Sequence, residues 1–480
     1  MEGLALKRID PYRLEISRKP PMRTWGIIYA NTAIERMLGN DEAIKQLANV
    51  ACLPGIVGPC LAMPDIHWGY GFPIGGVAAF SKSDGIVSPG GVGYDINCGI
   101  RCLRTSLEQH DVTPKLKILL ASLFSNIPAG VGAINKNLKI NRKELQRVLR
   151  TGSNWSVQRG FASSDEMEAH EELGCIESAD PGYVSEKAIE RGLPQLGTLG
   201  SGNHFLELDV VDLIGDESLA KCFGLYKDQV LILIHSGSRG LGHQVCDDYV
   251  HTMMSAAQRF GIELPDRQLA CAPITSKEAQ AYLGAMSAAA NFAFVNRDLI
   301  TYYTRASFEA IFRKSWESLG LSLLYDCCHN IAKFEHIIWQ DKRIEVCLHR
   351  KGATRALAPG DPRLPWRYKD TGQPVIVPGD MARSSYILAG AEGAHETFFS
   401  ACHGAGRLLS RQQAKKIARK KNPLEELKRR HIQVIAASRT TLAEEIPEAY
   451  KDVSEVVNTI CDAGIAKIVA RLRPIGMIKG

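Results

Sequence analysis

The chain has 480 residues, of which 45% are hydrophobic and 23% charged, and a formal net charge of +6. This is the composition of a folded chain with a large core; it excludes a disordered or collagen-like polymer and permits an anionic partner without demanding one. The thirteen cysteines are odd in number and scattered, so free thiols in a reducing cytosol are expected. Charges stand among Met1–Asp10 where a signal peptide would be apolar, and no apolar run reaches the ~18 residues of a membrane span. A cytoplasmic protein with no membrane association is therefore expected.

In chain order, residues 1–50 predict a polar lead-in strand and then a helix over Asp41–Val50. The stretch Met63–Phe80, MPDIHWGYGFPIGGVAAF, is so dense in Gly, Pro and aromatics that irregular backbone or short strands are expected, with Asp65 and His67 at a site. Gly90–Gly99 follows, with four glycines in ten residues. Its backbone can approach a ligand closely, and it offers the Asp95 carboxylate and the Cys98 thiolate three residues apart. That pair is suited to a divalent ion of intermediate softness such as manganese or zinc; the competing reading is a tight turn with a buried cysteine. A strand is expected at Ile100–Thr105, and mostly helices from 110 to 200, including a basic one over Ile134–Arg150.

A second glycine cluster, Leu196–Glu207, carries Asn203, His204 and Glu207. A third follows the apolar strand Val230–Ile234: His235-Ser-Gly-Ser-Arg239-Gly-Leu-Gly-His243. A buried strand ending in His and followed by a Gly/Ser loop suits a metal ligand beside a phosphate cradle. Helix is expected from 244 to 320. The strand Leu321–Asp326 then runs into Cys327-Cys328-His329-Asn330, a second histidine at a strand tip. Beyond it lie the basic segment His349–Arg355, the strand and turn Val375–Ala382, and Cys402-His403-Gly404-Ala405-Gly406-Arg407. A basic helix over Leu408–Arg430 and an apolar end with Lys479 next to last complete the chain.

His204, His235, His329 and His403 each stand beside Gly, Ser, Cys or Asn at the edge of an apolar segment. With Asp95 and Cys98 they form a set suited to two divalent ions and phosphoryl chemistry. His403 has open backbone and N–H donors around it, as a histidine attacking phosphorus needs. No CxxC pair supports a zinc knuckle, and no GxxxxGK[ST] loop supports a P-loop. No repeat or linker divides the chain, and the candidate ligands come from distant segments. One catalytic domain over residues 1–480 is expected, of mixed α/β (α+β) class, with mixed sheets around a deep metal-binding cleft.

Met63–Gly76, Gly90–Gly99, Gly197–Glu207, His235–Gly242, His349–Ala356, Cys402–Arg407 and the Lys-Gly end together resemble the RtcB family of RNA-splicing ligases. The resemblance implies an enzyme that joins RNA 2′,3′-cyclic-phosphate or 3′-phosphate ends to 5′-hydroxyl ends, in tRNA splicing and RNA repair. It implies GTP as cosubstrate and two Mn2+ ions. Cys98 would bridge the ions, with His204 and His235 completing one site and Asp95 and His329 the other. His403 would be the guanylylated nucleophile, and the RNA 3′ end would pass through a diphosphate-linked guanosine. Nucleotide contacts would come from Asn203, Glu207, Asn330, Pro378, Gly379, Asp380, Met381, Ser385, Gly404, Ala405, Gly406, Tyr450 and Lys479. Arg191, Arg239, Lys351 and Arg411 would hold RNA phosphates, and Asp65 would line the pocket. An archease-type activating protein is an implied partner of a monomer or weak oligomer. The chain departs from the family in Asp380 and Ala382, where Ser or Thr and Gly are usual; Asp380 would add an anion near the nucleotide. The alternative is a two-metal phosphoesterase that opens RNA cyclic phosphates without needing His403.

Overall fold

The computed structural model describes residues 4–38 and 42–480. Two large sheets organise it. The first has seven strands in the order Leu6–Asp10, Arg13–Ile16, Gly26–Tyr29, Ile56–His67, Ile74–Ser81, Lys342–Lys351 and Asn330–Trp339. The second follows the order Ser322–Cys328, Gly99–Glu108, Gln229–Ser236, Phe205–Ile214, Ala466–Lys479, Ser385–Gly390 and Pro374–Val377. Gln433–Ala436 joins Ala466–Lys479 in parallel as an eighth strand. Every other pairing in the second sheet is antiparallel.

The central strand Gln229–Ser236 shows why its sequence carries no polar alternation. Val230, Ile232 and Ile234 face one apolar cluster, and Leu231 and Leu233 face another on the opposite side. Both faces are covered, so residues 230–234 are all apolar, and polar side chains stand only at the strand's ends, Gln229 at one and His235 and Ser236 at the other. The 36-residue helix Lys277–Phe312 packs on one face. It is capped at its start by Ser276, whose Oγ accepts the Ala279 N–H at 3.2 Å. No helix among the described residues is long and apolar enough to cross a membrane.

The structure differs from the sequence expectations in several places. The helix expected from 244 to 320 is two helices, Arg239–Arg259 and Lys277–Phe312, with the short strand Ala272–Pro273 between them. Met63–Phe80 is irregular, as expected, only over residues 68–73; on either side it belongs to the strands Ile56–His67 and Ile74–Ser81, which are longer than the short strands expected and whose glycines fit because neighbouring backbone lies close. A Cβ on Gly75 would meet Ile66 Cα at 3.0 Å. The basic helix over Leu408–Arg430 is two helices, Arg411–Ala418 and Pro423–Arg429, because Asn422 caps a new start and Pro423 cannot continue the old one. The helix expected over Ile134–Arg150 starts at Arg142, where Asn141 accepts the Glu144 N–H at 2.9 Å. The helix expected over Asp41–Val50 runs over Glu42–Val50; Asp41 lies outside the described residues, as do residues 1–3 of the expected lead-in.

Candidate active site

Three strand tips of the second sheet and the Gly90–Gly99 loop meet at one point. The turn after Ser322–Cys328 is stitched to the loop by backbone: His329 N–H donates to Cys98 O at 2.9 Å, and Asn97 N–H to Asn330 O at 2.8 Å. Asn330 Nδ2 donates to Asp95 O at 3.1 Å, and its Oδ1 accepts the Gly352 N–H at 2.9 Å. Asn330 is thus a brace for the loop as well as a cavity wall.

At the point itself Cys98 Sγ lies 3.2 Å from His204 Nε2 and 3.3 Å from His235 Nε2, and His235 Nε2 lies 3.3 Å from His329 Nε2. Asp95 Oδ2 is 2.9 Å from His204 Nε2. All four of Cys98, His204, His235 and His329 are buried. Burial holds His235 and His329 well below the usual imidazole range, so both are neutral, as ligands must be. Burial would raise the Asp95 carboxyl, but the hydrogen bond from His204 and the charge of Arg239 behind it hold it below the usual range.

The residues fit a metal ion. His235 Nδ1–H donates to Asn203 O at 3.0 Å, which turns the Nε2 lone pair inward. His329 Nδ1 is buried with no hydrogen-bond partner. Inward-facing imidazole nitrogens around one sulfur are soft and intermediate donors without enough protons to satisfy one another. Cys98, His204 and His235 are close enough to bind one ion together.

Beneath the cluster lies a layer of buried ions. Arg297, on the long helix, donates Nη1 to Asn97 O at 2.9 Å and Ser236 O at 3.0 Å, so it holds the backbone beside both Cys98 and His235. It pairs with Asp326 at 2.8 Å, which also pairs with Arg101 at 2.6 Å; Arg101 reaches Asp298 at 2.8 Å.

The His403 ring stands 4.8 Å from that of His329, centroid to centroid. Asp65 Oδ2 accepts three N–H groups: His403 Nδ1 at 2.6 Å, His403 backbone at 3.0 Å and Gly404 backbone at 3.3 Å. A carboxylate that accepts from Nδ1 leaves Nε2 with its lone pair free. Close approach requires glycine at 406, at φ +74°, where a Cβ would meet Asp65 O at 2.2 Å.

Both centres open into one cavity of about 430 Å³. Of the residues anticipated from sequence, Asp95, Cys98, Asn203, Glu207, His235, His329, Asn330, Lys351, Pro378, Gly379, Asp380, Met381, His403, Gly404, Ala405, Gly406, Arg411, Tyr450 and Lys479 line it. His204 joins through Cys98. Ser385 does not line it: it is buried, and its Oγ accepts the Gly379 N–H at 3.1 Å, shaping the Pro378–Gly379 turn. Arg191 lies off the cavity, with Nη1 on Gln244 Oε1 at 2.8 Å. Lys351 faces the cavity with its stem, because its ammonium is spent on the carbonyls of Tyr70, Phe72 and Gly90. Arg239 is turned inward on His204. Asp380 is turned into its own turn: Oδ1 accepts the Ala382 and Arg383 N–H groups at 3.0 and 3.2 Å, and Arg383 Nε lies 2.7 Å from Oδ2.

At the far end Glu445, not anticipated from sequence, gathers the Tyr450 hydroxyl, Arg407 Nη1 at 2.9 Å and Lys479 Nζ at 3.7 Å. Arg407 lies over the Tyr450 ring at 4.9 Å. Nothing near Glu445 in sequence marks it, whereas Arg407 closes the conspicuous HGAGR run. Glu207 is buried beside Asp209, and burial, together with that second carboxylate, pushes its carboxyl well above the usual range.

A family model described as "tRNA-splicing ligase RtcB" matches residues 46–480. Relatives named tRNA-splicing ligase RtcB align along essentially whole chains. The one from Thermococcus kodakarensis is 49% identical over 481 residues, covering 100% of both chains. That from Methanococcus maripaludis is 50% identical over 470 residues, covering 98% of each. That from Archaeoglobus fulgidus is 49% identical over 483 residues, covering 100% of both. With the family model spanning nine-tenths of its length and relatives near half identity end to end, the chain belongs to the RtcB family.

Proposed function

We propose that this protein is a GTP- and Mn2+-dependent RNA ligase of tRNA splicing and RNA repair, acting in the cytoplasm. It would join a 2′,3′-cyclic-phosphate or 3′-phosphate end to a 5′-hydroxyl end. The observation that carries the reading is the seat of His403: a histidine with its tautomer fixed by Asp65, in one cavity with a Cys/His cluster. A phosphoesterase needs the cluster but has no use for an aligned nucleophile beside it.

In this scheme Cys98, His204 and His235 would hold one ion, and Asp95 and His329, together with Cys98, would hold a second. Bound there, the ions supply Lewis acidity to phosphate oxygens and lower the pKa of an attacking hydroxyl. His403 Nε2 attacks the α-phosphorus of GTP; an N–P bond forms and pyrophosphate leaves. Asp65 keeps the Nδ1 proton in place and stabilises the positive charge that develops on the ring. The RNA 3′-phosphate then takes GMP from His403, giving a diphosphate-linked guanosine. The 5′-hydroxyl attacks the RNA phosphorus, a phosphodiester forms, and GMP departs. Glu207 and Lys479 face the base edge and Tyr450 stacks on it. Arg411, 63% exposed at its side chain, meets RNA phosphate at the mouth.

Incubation with radiolabelled GTP and Mn2+ should leave a GMP adduct on the protein, absent in His403→Ala. A labelled mutant would disprove the nucleophile. Release of 3′-phosphate without joined RNA, with GTP present, would favour the phosphoesterase.

A further inference from the structure

Arg239 begins the helix Arg239–Arg259 with φ +52°. Its guanidinium occupies the space of the side chain that Gly200 lacks: a Cβ there would lie 1.7 Å from Nη2. So placed, Nη1 donates to His204 Nδ1 at 2.6 Å and lies 3.8 Å from Asp95 Oδ2. A guanidinium carries donors only and keeps its protons. His204 Nδ1 must therefore present its lone pair, and the ring proton sits on Nε2, donated to Asp95 Oδ2 at 2.9 Å. That Nε2 is also the atom grouped with Cys98 and His235 as a ligand. It cannot bind an ion while it holds this proton. An ion on Nε2 needs the proton on Nδ1, and two donors would then face each other across 2.6 Å. The Arg239–His204 bond and a metal on His204 exclude one another. His235 shows the contrast: its Nδ1 faces a carbonyl, and its Nε2 is free.

We propose that Arg239 is a latch that keeps His204 in a non-ligating tautomer until a phosphate group draws the guanidinium away. The planar fork of arginine matches phosphate oxygens, and the cavity beside it is where the ligase reading places them. Phosphate binding and completion of the ion site are then coupled, each favouring the other by the same factor. Arg239 acts through His204 and is a positioning residue. The inference rests on the ligase reading for the identity of the phosphate, which comes from the RNA 3′ end or from GTP.

The test is Mn2+ titration of the full-length, metal-stripped protein, with free Mn2+ read by electron paramagnetic resonance. Titrations run alone, with a 3′-phosphate oligoribonucleotide, with its 3′-hydroxyl counterpart, and with GTP. Wild type should bind the first ion about 5- to 100-fold tighter with the phosphate source that draws the latch. The 3′-hydroxyl strand should give little gain. Arg239→Ala should bind tightly from the start and lose most of the gain; Arg239→Gln, close in size, guards against misfolding. A second readout is nitrogen NMR on 15N-histidine protein. Metal-free wild type should show His204 protonated on Nε2, and Arg239→Gln should show Nδ1–H. Unchanged affinity in both variants, or an undiminished phosphate gain, would overturn the latch. Failure of wild type to bind Mn2+ under any condition would instead sink the ligase reading itself.

Discussion

The two ends of the cavity are built in different ways. At the Cys98 end the side chains stand on strand tips and are held from below by fully buried ions, Arg297, Asp326, Arg101 and Asp298. Their hydrogen bonds come up short: His329 Nδ1 is buried without a partner, and ring nitrogens of His235 and His329 face each other at 3.3 Å. At the Glu445 end Lys479 stands at the end of a strand, but the other side chains come from turns and helix ends, and their charges are already matched, Glu445 with Arg407, Tyr450 and Lys479. The first end is preorganised and incomplete, as suits an ion. The second is complete in itself, so under the proposed ligase function a nucleotide would have to take over partners that the protein supplies to itself. Such an exchange gives selectivity, because a base that replaces only some of those bonds leaves a buried charge unpaired.

This contrast yields graded predictions. The largest effect should come from Asp65→Asn, between the two ends. It disturbs the His403 tautomer without touching the cluster, so GMP labelling should slow by roughly 10²–10⁴-fold while bound Mn2+, measured by elemental analysis, stays at the wild-type level. Equal loss of metal would mean that Asp65 supports the whole cavity. Next is Arg297→Met. Leaving Asp326 short of a partner in the core should cost about 3–5 kcal/mol in urea unfolding, with lowered Mn2+ content because Asn97 and Ser236 lose their tie. A stable variant with full metal would show that the loops hold themselves.

Asp209→Asn probes the other end. Burial raises the Asp209 carboxyl above its usual range, and both of its oxygens lack a hydrogen-bond partner. The unfolded chain ionises this group near ~3.9, whereas the folded chain keeps the proton to higher pH. Folding therefore binds protons, and stability is lost as pH rises from that value through the folded one. The variant should gain on wild type with increasing pH, by on the order of 1–3 kcal/mol in thermal unfolding. A gap that does not change with pH would contradict the assignment. The smallest effect belongs to Arg411→Ala. Its exposed ion pair with Glu444, at 3.6 Å, should be worth under ~1 kcal/mol. RNA binding should weaken with a salt slope lower by about one, and GMP labelling should hardly change.

The sequence by itself determined the ingredients and their local settings. His235 and His329 stood out because each follows an apolar strand run, so a polar residue at the tip is conspicuous; His204 stood out by its place behind three glycines, ahead of a strand that itself carries Glu207 and Asp209. Asp95 and Cys98 were legible as unlike donors three residues apart in a glycine-rich loop, which the sequence left open between an ion clamp and a tight turn, and glycines likewise marked His403. The tertiary structure decided what each side chain spends its hydrogen bonds on. Asp65 and His403 are 338 residues apart, and their bond exists only where the first sheet meets the HGAG turn. Glu445 and Arg297 carry no local mark, since a carboxylate in a helical run and an arginine inside a long helix look like solvated surface until the fold buries them. Ser385, Arg191, Lys351 and Arg239 have the right chemistry for a ligand, yet the fold commits each to a protein partner. Local sequence fixes which donors and acceptors a segment carries; which of them remain free is settled by groups hundreds of residues away, because a buried polar group must take whatever partner the packing brings to it.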